Sequence, residues 1–573
     1  MQNGAMQRTV LFTTLGCKAN QYDSGALMNM LASRGFKLYT DGAGGAGGGC
    51  SGGSASGGSV GGSAGGSPDV LIVNTCIVSK ESERKSRQAI RRMRARFPNA
   101  LLAVVGCYPQ RFPGQASDIG GVDMIAGTSG HAALAEGIAS RFDDLANNGG
   151  ARAAQANRAR AQAKDISNIP NRTRAYVKVQ DGCDNYCSYC IVPYTRGAAT
   201  SRSLPDILGE IGAVLQKGAP EIVLTGIHIS SYKYDPGAAA GDGGDSSGDG
   251  SDGGNGDGNG GSDGGGSNSG DGSGSDGKMH SMAAIGLGEL ACHAADAIRS
   301  AASDAKGTAA SDAIIDTVAS ETLISAAASD AKGAAARALR IPVIARLRLS
   351  SIEPTAITRE FVCCLASIRD ILCPHFHIPL QSGCASTLLR MNRHYTPSDY
   401  LEAVSLLRHA FPGAAITTDV IAGFPGESES DFMETYNLCR QAAFARMHVF
   451  PYSERPGTPA AEYANRVPHA EKRRRAQRLI ALSGELSLEF HRSHIGKTIL
   501  FLIETIADGC AEGLTGNYIK VRAKMGSAAP AAAPAAAPAA APAAPPAAGT
   551  YAYVRVTDAT PERISGELMY ESG

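Results

Sequence analysis

The sequence predicts an α/β protein with three folding units: an N-terminal parallel α/β domain, a central partial (β/α) barrel and a small C-terminal β-barrel. Strand-like runs alternate with helical runs through the first two units, which is the pattern of βαβ units in parallel sheets. The last part of the chain changes to short, β-rich alternation, which is typical of a small barrel. Low-complexity segments interrupt all three units, and extra length in connections has a small thermodynamic cost.

The first unit is expected at residues 7–145, with a Gly/Ser insert at residues 42–67. Apolar, β-branched runs predict its strands at residues 9–14, 70–74 and 101–105. Helical runs lie between these strands, so the strands should pair in parallel within one sheet.

The second unit is expected at residues 170–490, with a low-complexity insert at residues 237–338. Repeated βα units predict a full or partial barrel whose active site lies at the carboxyl ends of its strands. Within the insert, the Ala-rich residues 278–340 have a helical composition. The six predicted strands, each followed by a helical run, are residues 175–179, 221–225, 345–349, 375–380, 415–421 and 446–450.

The third unit is expected at residues 494–573, with an Ala/Pro insert at residues 528–549 that predicts a semi-stiff spacer. Its alternating pattern predicts a small β-barrel. The predicted strands are residues 498–504, 517–522 and 551–556.

Composition argues against a membrane span and favours a cytoplasmic protein. The chain contains no apolar run of about eighteen residues, the length that suggests a spanning helix. Its first residues, MQNGAMQRTVLFTTLG, lack the apolar core of a signal peptide. Fourteen cysteines in such a chain indicate metal or redox chemistry rather than disulfides.

The formal net charge of zero hides an uneven distribution of charge along the chain. Residues 241–277 contain eight Asp and no Lys or Arg, so the rest of the chain carries a formal charge of +8. A mildly basic folded part permits an anionic partner, but charge alone does not demonstrate one.

Cys183, Cys187 and Cys190 have C-x₃-C-x₂-C spacing, which places three soft thiolates within eight residues. An iron–sulfur cubane normally takes four cysteines. Three local cysteines would therefore leave one iron open to a ligand that is not protein, as in open zinc sites. The alternatives are a zinc knuckle or three buried apolar cysteines. Zinc motifs usually add a second C-x₂-C pair or histidines, and neither lies nearby.

A second set of three cysteines follows the predicted strands of the first unit. Cys17 follows the first strand, Cys76 the second and Cys107 the third. The carboxyl ends of parallel strands meet at one edge of a sheet, where open α/β sheets bind their ligands. The sequence therefore predicts a second cluster at this edge. The alternative is that each is a small core residue, since free cysteine is often buried.

Ten sequence motifs together resemble one enzyme family, the methylthiotransferases among the radical S-adenosylmethionine (SAM) enzymes. Within that family, TLGCK-x-N and QDGCDN-x-CSYCI are most similar to the bacterial tRNA enzymes that act on N6-threonylcarbamoyladenosine. The isopentenyladenosine and ribosomal-protein branches resemble the chain less at these motifs. The motifs are TLGCKANQYDS, VNTCIVSKESERKSRQAIRR, VVGCYPQ, VQDGCDNYCSYCIVPYTRG, EIVLTGIHISSY, RLRLSSIEP, HFHIPLQSG, RMNRHYT, DVIAGFPGESESDF and HVFPYSERPGTPA.

The resemblance implies a reaction and its cofactors. It implies transfer of a methylthio group to C2 of threonylcarbamoyladenosine next to the tRNA anticodon. The cysteines at 183, 187 and 190 would hold a [4Fe-4S] cluster that cleaves SAM reductively. Those at 17, 76 and 107 would hold a second [4Fe-4S] cluster that delivers sulfur. No catalytic residue beyond these cluster ligands is implied.

The resemblance also implies partners, and it leaves alternatives. The partners are the tRNA anticodon loop and an electron donor such as flavodoxin or ferredoxin, while the sulfur donor stays open. The alternative substrates are isopentenyladenosine in tRNA or a ribosomal protein. In a different class, the chain would be a non-catalytic, zinc-stabilised RNA-binding protein.

Five residues are candidates for SAM contacts by resemblance. Tyr189 is expected near the SAM adenine, and Gly226 near the amino or carboxylate end, where glycine allows close backbone approach. Ser350 and Glu353 are expected near the ribose, and Gln381 at the same rim of the barrel. The alternatives for these positions are ordinary loop packing and turn residues.

Basic residues supply further candidates for binding anions. Arg196 and Arg455 are candidate partners of phosphate or of the SAM carboxylate, with a surface arginine as the alternative. The basic, helical residues 84–96 and the run at 472–475 are candidates for gripping a tRNA backbone. A solvated helix face is the alternative for both runs.

The terminal barrel resembles the TRAM domain, a small RNA-binding module. The segment GLTGNYIKVRAK interleaves an aromatic residue with basic ones, and such surfaces stack bases and hold phosphates. The alternative is a plain β-barrel with a charged exterior. The residues expected to contact RNA are Asn517, Tyr518, Lys520, Arg522 and Lys524.

Overall fold

The structure is a computed structural model in which the three predicted units are present. The Gly/Ser insert, most of the long insert and most of the Ala/Pro spacer lie outside the residues that it describes. None of the described helices combines the length and apolar character needed to cross a membrane. The described residues are 8–41, 67–143, 173–236, 285–306, 345–526 and 546–569.

The first unit is a five-stranded parallel sheet with helices on both faces. Its strands are β1 Thr9–Thr14, β2 Lys37–Thr40, β3 Val70–Thr75, β4 Leu101–Gly106 and β5 Met124–Ala126. Its helices are α1 Lys18–Ala32, α2 Lys80–Arg96, α3 Cys107–Arg111, α4 Pro113–Ser117 and α5 His131–Asp143. The strand order β2-β1-β3-β4-β5 puts β3 at the centre, and every residue of β3 is buried, as a central parallel strand requires. The three predicted strands are confirmed, and the short edge strands β2 and β5 were not predicted.

The second unit forms a partial barrel of six parallel strands, each in the position that the sequence predicted. The barrel consists of two three-stranded sheets, in the order β6-β9-β12 and β13-β14-β15. A bridge between Leu347 and Leu372 joins the sheets, and the Ile352 N–H donates to the His377 carbonyl at 2.9 Å. The barrel strands are β6 Ala175–Lys178, β9 Glu221–Thr225, β12 Arg346–Leu349, β13 His375–His377, β14 Ala415–Ala422 and β15 Arg446–Pro451.

Helices and two short ribbons surround this barrel. Several helices begin at residues whose side chains accept a backbone N–H of the first turn, as Ser203, Thr396 and Ser428 do. The ribbon strands are β7 Gln180–Asp181, β8 Thr200–Ser201, β10 Lys233–Tyr234 and β11 Ile285–Gly286. The helices are α6 Pro193–Arg196, α7 Leu204–Gln216, α8 Leu287–Lys306, α9 Arg359–Ser367, α10 Ala385–Arg390, α11 Pro397–Ala410, α12 Glu429–Ala442 and α13 His469–Arg492.

Helix α8 corrects the predicted bounds of the long insert. Its residues Leu290, Ala294 and Ile298 are buried in the same hydrophobic core as the barrel strands. They recur at helical spacing, so one face of α8 covers the barrel. The helical composition of residues 278–340 is confirmed over α8, but the assignment of this helix to a low-complexity insert at residues 237–338 is wrong, because its Ala-rich composition hid its apolar face.

The third unit is a closed five-stranded barrel in the order β16-β17-β18-β20-β19. Two of its strands, β17 and β20, were not predicted. The strand predicted at residues 517–522 begins later, because Tyr518 adopts φ +66° in the turn that precedes β18. The strands are β16 Thr498–Ala507, β17 Cys510–Thr515, β18 Lys520–Lys524, β19 Tyr551–Ala559 and β20 Ile564–Met569.

The turn that contains Tyr518 docks onto the amino-terminal end of the six-stranded barrel. The Tyr518 ring stacks on His375, with 4.7 Å between ring centroids, and the Arg348 guanidinium lies 4.9 Å from the Tyr518 centroid. Arg348 Nε donates to Glu221 at 2.7 Å, and Arg348 Nη1 donates to the Gly516 carbonyl at 2.9 Å. Tyr518 was expected to stack on RNA bases, but the structure assigns its ring to a contact between the two barrels.

Replacing Tyr518 tests this contact. Tyr518→Ala removes a half-buried ring and should lower the free energy of unfolding by about 2 kcal/mol, less than for a fully buried aromatic residue. Tyr518→Gly removes the same ring but relieves the left-handed backbone, so its loss should be smaller by about 1 kcal/mol. Urea denaturation followed by circular dichroism measures both. A Tyr518→Ala protein as stable as wild type would show that the ring does not join the barrels.

Candidate functional site

The loop between β7 and α6 carries Cys183, Cys187 and Cys190. It begins at Gly182, which has φ +71° and whose Cβ, if present, would lie 1.9 Å from the Ala198 carbonyl oxygen. Only glycine fits this close approach of two backbone segments. Within the loop, the Cys190 N–H donates to the Cys187 carbonyl at 2.9 Å. The loop therefore folds back on itself between Cys187 and Cys190.

The electrostatics of this loop suit a ligand that takes thiolates. Burial raises the pKa of Cys190 to about 12, and the neighbouring thiols of Cys187 and Cys183 contribute to this rise. Burial also raises the pKa of Cys183. The Cys187 thiol helps to raise the pKa of both Cys183 and Cys190, and a bound cationic centre offsets such repulsion because metal ligation deprotonates cysteine.

Arg393 lies directly against this loop, and sequence reasoning did not single it out. Its Nη1 donates to the Cys187 Sγ at 3.2 Å. The same guanidinium forms an ion pair with Glu353, whose other carboxylate oxygen lies 3.8 Å from His228 Nε2. Arg393 therefore places a positive charge beside one thiol of this loop. Arg393 lies 206 residues from Cys187 in sequence, so no local spacing revealed the contact.

The second cysteine set converges at the carboxyl ends of β1, β3 and β4, as the topology predicted. Asn20 marks the centre of this set: its Oδ1 lies 3.6 Å from Cys17 Sγ and 3.8 Å from Cys107 Sγ. A Cβ placed on Gly16 would lie 3.2 Å from Cys76 Sγ and 2.9 Å from the Asn20 amide. Burial raises the pKa of Cys107 to about 11. None of the six cysteines in the two sets forms a disulfide.

Arg196 connects the two cysteine sets. Its Nη2 donates to Asn20 Oδ1 at 2.7 Å and to Asp23 at 3.1 Å. Its Nη1 donates to Asp181, two residues before Cys183, at 2.9 Å. The Arg196 side chain is only 2% exposed. Arg196 was a candidate partner of phosphate or of the SAM carboxylate, but its guanidinium is engaged by protein oxygens.

Lys178 completes the network around Arg196. Its Nζ lies 2.7 Å from Asp23 and 2.9 Å from Asp181, so two cations face two carboxylates. Lys178 belongs to β6, the outer strand of the six-stranded barrel, and Asp23 belongs to α1 of the first unit. The network therefore joins the first unit to the open edge of the barrel.

Two of the five predicted SAM-contact residues lie in or beside the first cysteine loop. The Tyr189 ring packs edge-on against Phe424, with 6.5 Å between centroids. Gly226 follows β9, and a Cβ added to it would lie 2.6 Å from the Gln180 carbonyl oxygen. Close backbone packing therefore explains the glycine at position 226 without a ligand.

The other three predicted contacts lie past the carboxyl ends of β12 and β13. Ser350 is buried and its N–H donates to the Leu224 carbonyl at 3.0 Å. Glu353 is held by Arg393, as described above. Gln381 has φ +62°, and its N–H donates to the Asp419 carbonyl at 2.8 Å. All three belong to the end of the barrel that carries the cysteine loop.

Comparison with known families and proteins agrees with this arrangement. The family model described as "Uncharacterized protein family UPF0004" matches residues 57–127, which include Cys76 and Cys107. The model described as "Radical SAM superfamily" matches residues 327–439, which include the predicted SAM contacts from 350 to 381.

Three named relatives span nearly the whole chain. "Threonylcarbamoyladenosine tRNA methylthiotransferase MtaB" of Bacillus subtilis (strain 168) is 31% identical over 522 residues, covering 90% of this chain and 90% of the relative. The protein of that name from Thermotoga maritima is 28% identical over 516 residues, covering 90% of this chain and 91% of the relative. "tRNA-2-methylthio-N(6)-dimethylallyladenosine synthase" of Desulfotalea psychrophila is 27% identical over 519 residues, covering 89% of this chain and 91% of the relative.

The Arg196 network yields a stability prediction. Arg196→Met leaves two partly buried carboxylates with Lys178 alone, and should lower the free energy of unfolding by about 3 kcal/mol. Arg440→Met is the matched control, because Arg440 pairs with Glu485 while their side chains are 54% and 61% exposed. An exposed pair contributes less than about 1 kcal/mol. Urea denaturation measures both, and equal losses would contradict the central position of Arg196.

Proposed function

The chain belongs to the radical SAM methylthiotransferases, and we propose that it methylthiolates C2 of N6-threonylcarbamoyladenosine next to the anticodon of tRNA. The relative at 31% identity carries that substrate in its name, whereas a relative named for the dimethylallyl substrate matches at 27% over a similar length. The motifs around Cys17 and Cys183 favour the same branch. Family membership also argues against a non-catalytic zinc protein.

One observation carries the proposal: two sets of three thiols lie at facing loops and share the Arg196 network. A donor set made only of thiolates is soft and suits iron–sulfur clusters. Three thiols per set, rather than four, suit clusters with one iron open to another ligand. The residues present therefore fit two [4Fe-4S] clusters.

When bound, the clusters and SAM supply the one-electron chemistry and the sulfur that an inert aromatic C–H bond requires. The chain's own residues hold and orient these groups. The three cysteines from 183 to 190 would hold the cluster that meets SAM, and the three at the β1, β3 and β4 ends would hold the second. Arg393 places positive charge beside Cys187, and Tyr189 flanks the same loop.

The SAM side of the site rests on residues at the carboxyl ends of the barrel strands. Gly226, Ser350, Glu353 and Gln381 lie past β9, β12 and β13, and we assign the SAM pocket to this rim. Glu353 is oriented by its ion pair with Arg393, so its carboxylate is positioned before any ligand arrives. Fixed polar groups lose little entropy on binding, which favours ligand orientation.

Iron content tests the two-cluster assignment. Anaerobic reconstitution should give about eight irons per wild-type chain, and about four in each of two triple variants. These variants are Cys17→Ala/Cys76→Ala/Cys107→Ala and Cys183→Ala/Cys187→Ala/Cys190→Ala. Iron and acid-labile sulfide are measured together on the full-length protein. Zinc without iron, or a triple variant that retains the full iron content, would contradict the assignment.

Nucleoside mass spectrometry tests the substrate. A strain lacking this gene should lose the 2-methylthio mark from threonylcarbamoyladenosine and keep it on isopentenyladenosine. Wild-type chain should restore the mark, and Cys183→Ala should not, because that variant lacks one cluster ligand. Loss of the mark from isopentenyladenosine instead would contradict the proposed substrate and show that the enzyme acts on isopentenyladenosine in tRNA.

A further inference from the structure

A basic groove runs between the first and second units, outside the site described above. It encloses about 580 Å³. Helix α2 forms one wall with Lys80, Arg84, Arg87 and Arg91, and the loop after β15 forms the other with Arg455 and Pro456. These six residues, with Glu83 and Gln88, line what is called the basic groove. The Lys80 N–H donates to Ser453 Oγ at 3.0 Å, which ties the loop to the start of α2.

The basic side chains of α2 follow helical periodicity. Positions 80, 84, 87 and 91 recur at intervals of four, three and four, which places them on one face of a helix. At about 1.5 Å per residue, this row extends over about 16 Å. A row of cations of that length matches several phosphates of an extended backbone better than one small anion.

Arg455 forms the floor of the groove and has unused hydrogen-bond donors. Its side chain is only 1% exposed, and its Nη2 pairs with Glu83 at 2.7 Å. Its Nε and Nη1 are buried without a hydrogen-bond partner among the described residues. Buried donors without an acceptor cost free energy, so this guanidinium favours an incoming oxyanion. Arginine suits phosphate because its planar donors bind oxygens in pairs.

The five basic side chains of the groove face only two carboxylates, Glu81 and Glu83, so a net positive charge remains. Glu83 is the acidic residue that lines it, and it faces Arg455 and, at 3.6 Å, Arg87. Arg84 pairs with Glu81 at 2.7 Å. No carboxylate of the described residues forms an ion pair with Lys80 or Arg91. The groove therefore presents positive charge to a ligand, and Arg91 is its least neutralised arginine.

The groove and the second cysteine set share helix α2. Helix α2 begins four residues after Cys76, and Ser86 on that helix accepts the Cys76 N–H at 3.0 Å. Ser86 is buried and so lies on the face of α2 opposite the groove. A backbone bound in the groove would be held by the same helix that positions Cys76.

We propose that the basic groove binds the sugar–phosphate backbone of the tRNA substrate, with Arg455 as its buried anchor and Arg91 as an outer contact. This inference rests on the proposed function, since it assigns a binding surface to that substrate. A bound phosphate would explain why Arg455, a candidate phosphate partner by sequence, is buried with its Nε and Nη1 lacking hydrogen-bond acceptors among the described residues. Free inorganic phosphate is the other source of the same chemistry.

Arg91→Gln tests the groove on full-length, cluster-reconstituted protein. Affinity for unmodified tRNA should fall roughly tenfold at low salt. A plot of the logarithm of the association constant against the logarithm of the salt concentration should become less steep, its negative slope shrinking in magnitude by about one. Arg440→Gln is the matched control, with the same charge change on helix α12. Arg440 lies outside the groove and pairs with Glu485 at 3.1 Å, with both side chains more than half exposed. Its affinity and slope should equal those of wild type.

The outcomes separate this inference from the proposed function. Salt-dependent tRNA binding by wild type, with an unchanged slope in Arg91→Gln, would overturn the groove and leave the function standing. Absence of tRNA binding by wild type would overturn both. If inorganic phosphate raises the melting temperature of wild type but not of Arg91→Gln, while both bind tRNA equally, the groove is a free-phosphate site and the backbone proposal is wrong.

Discussion

The arrangement of the site depends on the hydrogen bonds and ion pairs of the buried Arg196 side chain. It is buried between a helix of the first unit and the cysteine loop of the second, and its donors reach Asn20, Asp23 and Asp181. A buried cation needs such compensation, because an unpaired charge in a low-dielectric interior is costly. Since Asn20 also contacts two thiols of one set, and Asp181 immediately precedes the loop of the other, one side chain fixes the relation between the two sets.

A second buried contact fixes the opposite end of the barrel. Arg348 and Glu221 pair with almost no exposure, and Tyr518 of the terminal barrel packs onto them and His375. The terminal barrel is therefore attached at the amino-terminal ends of the strands, while the carboxyl ends remain available for cofactor and substrate. The basic groove opens beside those carboxyl ends, where α2 meets the loop after β15. The terminal barrel thus packs on one end of the six-stranded barrel, and the basic groove of the first and second units lies at the other end.

Sequence reasoning found what is encoded locally and missed what depends on distant contacts. Strand runs and strand ends are local signals, so the six barrel strands and the convergence of Cys17, Cys76 and Cys107 followed from pattern and topology. The partners of Arg393 and of Tyr518 lie far away in sequence, and no spacing rule connects them. Tyr518 resembled a base-stacking residue because aromatic and basic residues alternate around it. Only the fold shows that its ring faces the other barrel.

The central claim is that the two cysteine sets hold two clusters as neighbours. Electron paramagnetic resonance of the fully reduced, reconstituted protein tests this most directly, because two nearby paramagnetic clusters broaden each other's signals and speed each other's relaxation. Two neighbouring clusters should give this magnetic interaction in wild type, and it should disappear when either set of three cysteines is replaced by alanine. A wild-type spectrum that equals the sum of the two single-cluster spectra, with unchanged relaxation, would contradict it.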